Sequence, residues 1–224
     1  MDFEIDIDEL ITPHKPFEGL PWLTSTLLTC FLLTVIVLIL CLVIRFICMP
    51  RWEKKDSPGI LQTVLESIVG MFDKEGRDSV GHNTRFLAPW YLGVCCFIFF
   101  GVLVELLGLR SPISDINIAF ALSFSTFILI WAFGFKEKKF GRFKRYLNPV
   151  NILTDSITPL SMALRLFGST FSGYIIMHLI YRLRWWAIGP LGLIGMLVAT
   201  LFHAFIQAYI FMMLSYAFIG EATE

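Results

Sequence analysis

Charge is the first scarcity. Only 16% of the 224 residues are Asp, Glu, Lys or Arg, against about 25% in an ordinary soluble domain. Hydrophobic residues make up 56%, and mean hydropathy is +0.72. That balance excludes a soluble globular domain and predicts an all-α polytopic membrane protein. Acids and bases are equal in number, 18 each, so the basic excess of a nucleic-acid binder is missing. The cysteines are few (Cys30, Cys41, Cys48, Cys95, Cys96), and all lie in or at the ends of apolar runs with no histidine nearby. This pattern offers neither a disulfide framework nor a metal site, and they read as small lipid- or core-facing residues. A phosphate-cradling glycine loop and a nucleophile–base pair are also missing, so no cofactor, metal or catalytic site is expected in this chain. The N-terminus has acids (Asp2, Glu4, Asp6, Asp8, Glu9) where a secretory leader has a basic region, so it does not read as one. There is no internal repeat.

What is present is a series of long apolar runs, read as a single membrane domain over 1–224. Residues 20–49 form a first crossing, closing in Arg45 and Pro50–Lys55, a basic end. Residues 57–74 place Ile60, Leu61, Val64, Leu65, Ile68 and Phe72 at helical spacing against Gln62, Glu66 and Asp73. They are too polar to span and predict an amphipathic helix on the cytoplasmic surface. Residues 85–109 and 117–135 are the second and third crossings. The third stops at Lys136–Tyr146, the most basic loop, which marks the cytoplasmic side. That places the N-terminus outside and, after five crossings, the C-terminus in the cytoplasm. The last two runs, 151–181 and 185–219, far exceed the ~20 residues a bilayer needs. They are expected to be tilted, bent or partly surface-lying, with Pro159 and Pro190 as breaks.

Pro149–Ser172 is the stretch that sets function. It carries Arg165 in an apolar setting. A guanidinium does not shed its proton, and at mid-bilayer it costs about 2.5–3.5 kcal/mol or more. It needs a partner, a water-filled cavity, or a route to the headgroups. On a helical wheel Thr154, Thr158, Ser161, Ser169 and Ser172 fall on the same narrow stripe as Arg165, with Gly168 at its edge. A stripe of small side chains lets another helix approach closely, so the arginine reads as presented to a neighbouring surface.

The run Ser161–Gly173, SMALRLFGSTFSG, resembles the signature of the subunit a family of F-type ATP synthases. Gln207–Ile219 is similar to that family's last helix, and Ser111–Ser123 is a weaker match. The resemblance implies a stator subunit of the membrane motor, in which Arg165 faces a ring of c subunits and the last two helices form a tilted hairpin along that ring. Implied partners are the c-subunit ring, the peripheral-stalk b subunits, the catalytic head indirectly, and the lipid bilayer. A bacterial inner membrane is the expected location and H⁺ the expected ion. A self-contained ion channel or secondary transporter is the alternative, although the two similar halves common in transporters are missing.

Polar residues inside the crossings are the remaining candidates. The resemblance sets Gln207 close to Arg165. Thr200 and His203 share the Gln207 face, with His203 about 6 Å further out, either a proton relay or a core histidine. Tyr174 and His178 lie on the opposite side of their helix from Arg165, as inlet groups or as a packed aromatic and an interface histidine. Glu105, near an acidic position of some family members, is an inlet carboxylate or a snorkelling one. Asp155 is an exit group or a helix-start acid, and Ser161 and Ser169 line the path beside the arginine. Two residues depart from the family pattern: Ser169 stands where asparagine is usual and Tyr174 where glutamate is usual. Thr200 holds a position where many members have histidine or glutamate. His203 and Glu105 are therefore expected to stand in for the missing carboxylate.

Overall fold

The computed structural model describes residues 24–52, 59–80, 86–107, 109–138, 149–182 and 185–223, and every regular element among them is helical. Helix α1, Ser25–Val43, runs through a π-helical turn, Ile44–Cys48, into α2, Met49–Trp52. Next come α3, Ile60–Val80, and α4, Leu87–Leu103, which tightens into a 3-10 turn, Val104–Leu107. A second 3-10 turn, Pro112–Ser114, precedes α5, Ile116–Lys138. The chain ends in two long helices, α6, Pro149–Arg182, and α7, Trp185–Thr223. Five stretches are long and apolar enough to cross a membrane: Ser25–Phe46, Leu87–Leu107, Ile116–Gly134, Ile157–Met177 and Met196–Ala222.

The bounds differ from the sequence expectation in instructive places. Helix α3 ends at Val80 rather than 74. Its added residues are polar but helix-compatible, and Asp73 and Arg77 pair one turn apart on an exposed face. The second crossing gives up its α-helix at Leu103, six residues early, because the chain must turn there. Helix α6 continues through Pro159 without a break. Pro159 is buried, and a proline removes only one backbone bond, which neighbouring helices can tolerate in a membrane. Residues 1–23 and the basic loop 139–148 lie outside the described residues.

The core is built where α4, α5 and α7 meet. Tyr91, Ile98, Val102, Ala119, Ala204, Met212, Tyr216 and Ile219 are all essentially sealed from solvent. Tyr91 of α4 and Tyr216 of α7 stack tilted at 4.8 Å between ring centroids, an arrangement aromatic pairs favour. The buried Cys95 thiol donates to the Ala208 carbonyl at 3.3 Å, tying α4 to α7. Cys30, Cys41, Cys95 and Cys96 are all free thiols. Helix α6 lies mainly against α5, and α7 mainly against α4 and α5. The two long helices meet each other over only a short stretch. By contrast α1 exposes most of its length and buries only a narrow stripe, Thr26, Thr29 and Leu33, of which Leu33 reaches Gly101 of α4.

The two ends of the bundle are closed differently. At one end α3 docks across α4 and α7: Phe72 is buried, and its carbonyl accepts a hydrogen bond from the Tyr216 hydroxyl at 3.3 Å. The α3 terminus comes so close to Gly220 that a Cβ there would lie 2.6 Å from the Ser79 carbonyl oxygen. Backbone cannot yield as a flexible side chain can. Gly220→Leu is expected to push α3 off α7 at a cost of about 1–3 kcal/mol. The check is thermal loss of this subunit from the solubilised complex, with Gly220→Ala intermediate; an unchanged midpoint in both would remove this account of the contact. At the other end the segment Ser111–Ser114 is buried as a plug. Ser111 Oγ accepts from the Ile113 N–H at 3.3 Å, Ser114 Oγ donates to the Ser111 carbonyl at 2.7 Å, and Ile113 packs on Gly101.

Candidate functional site

On α6 the buried side is Pro159, Met162, Ala163, Leu166, Thr170 and Met177, directed at the neighbouring helices. The opposite stripe, Leu160, Ser161, Leu164, Arg165, Gly168 and Ser172, is exposed. Arg165 sits close to the middle of the span Ile157–Met177. Among the described residues it has no ion pair or hydrogen bond within its own chain. Pairing inside the bundle is thereby removed as a reading for those residues. The hydroxyls around it satisfy their donors locally: Ser169 Oγ donates to the Leu166 carbonyl at 3.1 Å and Ser172 Oγ to the Ser169 carbonyl at 3.0 Å. Their oxygens remain free to accept. The face therefore carries one charge among hydroxyl acceptors and Gly168, with the larger Leu160 and Leu164 beside them.

Gln207 of α7 is buried, 5% exposed, and no hydrogen bond joins it to Arg165 among the described residues. Thr200 and His203 are half-buried on the same helix. Thr200 Oγ1 lies 4.0 Å from the Met177 sulfur, part of the short contact between α7 and α6. His203 Nε2 is buried without a hydrogen-bond partner among the described residues.

A second cluster forms where the 3-10 turns meet α6. Glu105 is 2% exposed. A snorkelling carboxylate would be exposed, so that alternative is excluded. The side chain lies against α6, and its Oε2 would be 3.1 Å from a Cβ placed at Gly173. The adjacent Tyr174 is half-buried, with the Arg110 guanidinium 5.5 Å from its ring centroid, within cation–π range. Arg110 Nε also donates to Ser114 Oγ at 3.3 Å. Arg110 and Gly173 were not expected from the sequence. Neither stands out by spacing, and only the folded turn brings them to Tyr174 and Glu105. Asp155 and His178 are placed on α6, but their side chains lie outside the described residues.

The model of the family described as ATP synthase A chain matches residues 29–220. The chain belongs to this family. It is 32% identical over 200 residues to ATP synthase subunit a of Alkalilimnicola ehrlichii, covering 75% of this chain and 76% of that protein. It is 30% identical over 236 residues to the Acinetobacter baylyi protein of the same name, covering 84% and 79%. The Coxiella burnetii subunit a is 29% identical over 214 residues, covering 81% and 80%. The match includes all five candidate membrane spans apart from the start of the first and the last residues of the fifth. As an ATP synthase A chain, the molecule is an integral membrane protein of the membrane sector of the F-type enzyme.

Proposed function

We propose that this A chain is the stator of the rotary motor, providing two offset half-channels that carry protons to and from carboxylates on a ring of c subunits. The observation that supports the reading most is the Arg165 guanidinium: exposed, near mid-span, flanked by small residues, and unpaired within its own chain among the described residues. In lipid that charge is costly. Against a ring of acids it meets, in turn, each carboxylate that has lost its proton, and the attraction offsets the cost.

The cycle follows from charge. A proton arriving by the outer half-channel neutralises a ring carboxylate, and only a neutral site moves cheaply through hydrocarbon. After almost a full turn the site opens to the inner half-channel and ionises. Arg165 then holds the carboxylate and blocks passage between the half-channels. Each charge crossing supplies about 2.3 kcal/mol per 100 mV. On this reading Glu105 and His203 carry protons on the outer side, Thr200, Tyr174 and His178 line that route, and Gln207 and Ser169 flank the arginine. Ser161 and Asp155 lie on the inner route. The chain makes and breaks no covalent bond itself; ATP chemistry belongs to the catalytic head. The N-terminus lies outside and the C-terminus inside a bacterial inner membrane, and the exposed face of α1 is available to a b-subunit helix or lipid.

Purification under mild detergent tests the assembly directly. The chain is expected to come out with a c ring, b subunits and an ATP-hydrolysing head. Recovery as a lone chain that conducts ions in liposomes would favour a self-contained channel and overturn the stator reading.

A further inference from the structure

Glu105 is held in a demanding place. It belongs to the 3-10 turn Val104–Leu107, is 2% exposed, and its Oε1 is buried with no hydrogen-bond partner among the described residues. No ion pair involves it among the described residues. A buried carboxylate with an orphan oxygen is costly to fold around, so its position calls for an explanation. The other oxygen, Oε2, lies where residue 173 of α6 would begin to project a side chain, 3.1 Å from that Cβ position. The missing side chain of Gly173 leaves a notch in α6, and the carboxylate of Glu105 approaches α6 there. The next position is closed, since the Tyr174 ring is covered by Arg110.

We propose that Gly173 is a positioning residue, which admits the Glu105 carboxylate to the surface of α6 and so sets it on the outer proton route. The inference rests on the reading of Glu105 as a proton carrier and adds the residue that places it. Gly173 touches no proton; it acts by leaving space. Alanine there forces the carboxylate to move by a few tenths of an ångström, and valine by more. Shortening Glu105 to Asp withdraws the carboxyl by one methylene and makes room for the alanine methyl. A glycine needed only for helix packing would not be relieved by that change.

The test uses the complete complex in inverted membrane vesicles, with ATP-driven proton uptake and the amount of this subunit in the complex measured together. Gly173→Ala is expected to lower uptake about tenfold and Gly173→Val about a hundredfold, since a misplacement approaching 1 Å can cost that much. Subunit content should stay normal in the alanine variant. The pair Gly173→Ala with Glu105→Asp should pump better than Gly173→Ala alone, a coupling that a double-mutant cycle isolates. If Glu105→Gln is inactive but Gly173→Ala pumps normally, or if Glu105→Asp gives no rescue, the positioning role is overturned while the proton-carrier reading stands. If Glu105→Gln pumps normally, that reading falls and the proposal with it.

Discussion

Arg165→Ala is expected to abolish coupled ATP synthesis and ATP-driven pumping while the complex still assembles. The side chain is exposed and makes no contact that holds the fold among the described residues, and exposed substitutions of that kind usually change stability by under about 0.5 kcal/mol. The loss would therefore be functional. Removing one fixed electrostatic partner from a water-poor site costs about a hundredfold to a thousandfold, so coupled rates should fall at least that far. ATP hydrolysis by the head should persist without pumping, and passive proton leak should rise once no charge separates the half-channels. Arg165→Lys keeps a charge but loses the planar fork that meets a carboxylate with two parallel bonds; it is expected to remain severely impaired. Vesicle pumping, leak and hydrolysis are measured side by side. Retained coupled pumping in the alanine variant would end the stator assignment of this residue.

The second large effect concerns the outer route. Glu105→Gln removes the ionisable group but keeps its shape, and His203→Ala removes the imidazole whose Nε2 is buried without a partner among the described residues. Together they are expected to lower proton uptake by about a hundredfold or more, the usual size of a lost positioned proton-transfer group. Glu105→Gln should account for most of this, because it is the carboxylate in the 3-10 turn while α6 carries Tyr174 next to Gly173. His203→Ala alone is expected to fall less. If the double variant pumps as the natural protein does, neither residue carries protons, and the route must be sought elsewhere along α6 and α7.

The reading of Arg165 could be made from the chain alone because it depends on a local rule. Helical spacing puts Ser161, Gly168 and Ser172 beside the arginine whatever the rest does, and the structure exposes that same stripe. The fate of Glu105 could not be read this way. A glutamate at the end of an apolar run is equally compatible with the headgroups and with the interior. Only the packing of the turn Val104–Leu107 against α6 decides that it is buried. Gly173 gave no signal either, since a glycine in a helix means nothing until something is found occupying its missing side chain. The docking of α3 on Gly220 belongs to the same class: an amphipathic pattern says that one face is apolar, not whether lipid or protein covers it.

The sequence by itself determined that this protein lives in a membrane, that it is helical, where its long helices run, and which single charge is set on a small-residue face. These follow from composition and from periodicities that act within one helix. Tertiary structure alone decided which polar groups share a neighbourhood: Glu105 with Gly173, Arg110 with Tyr174, Tyr216 with the Phe72 carbonyl. Those pairings join residues from separate helices and turns, and they come from packing between surfaces, which no local pattern encodes.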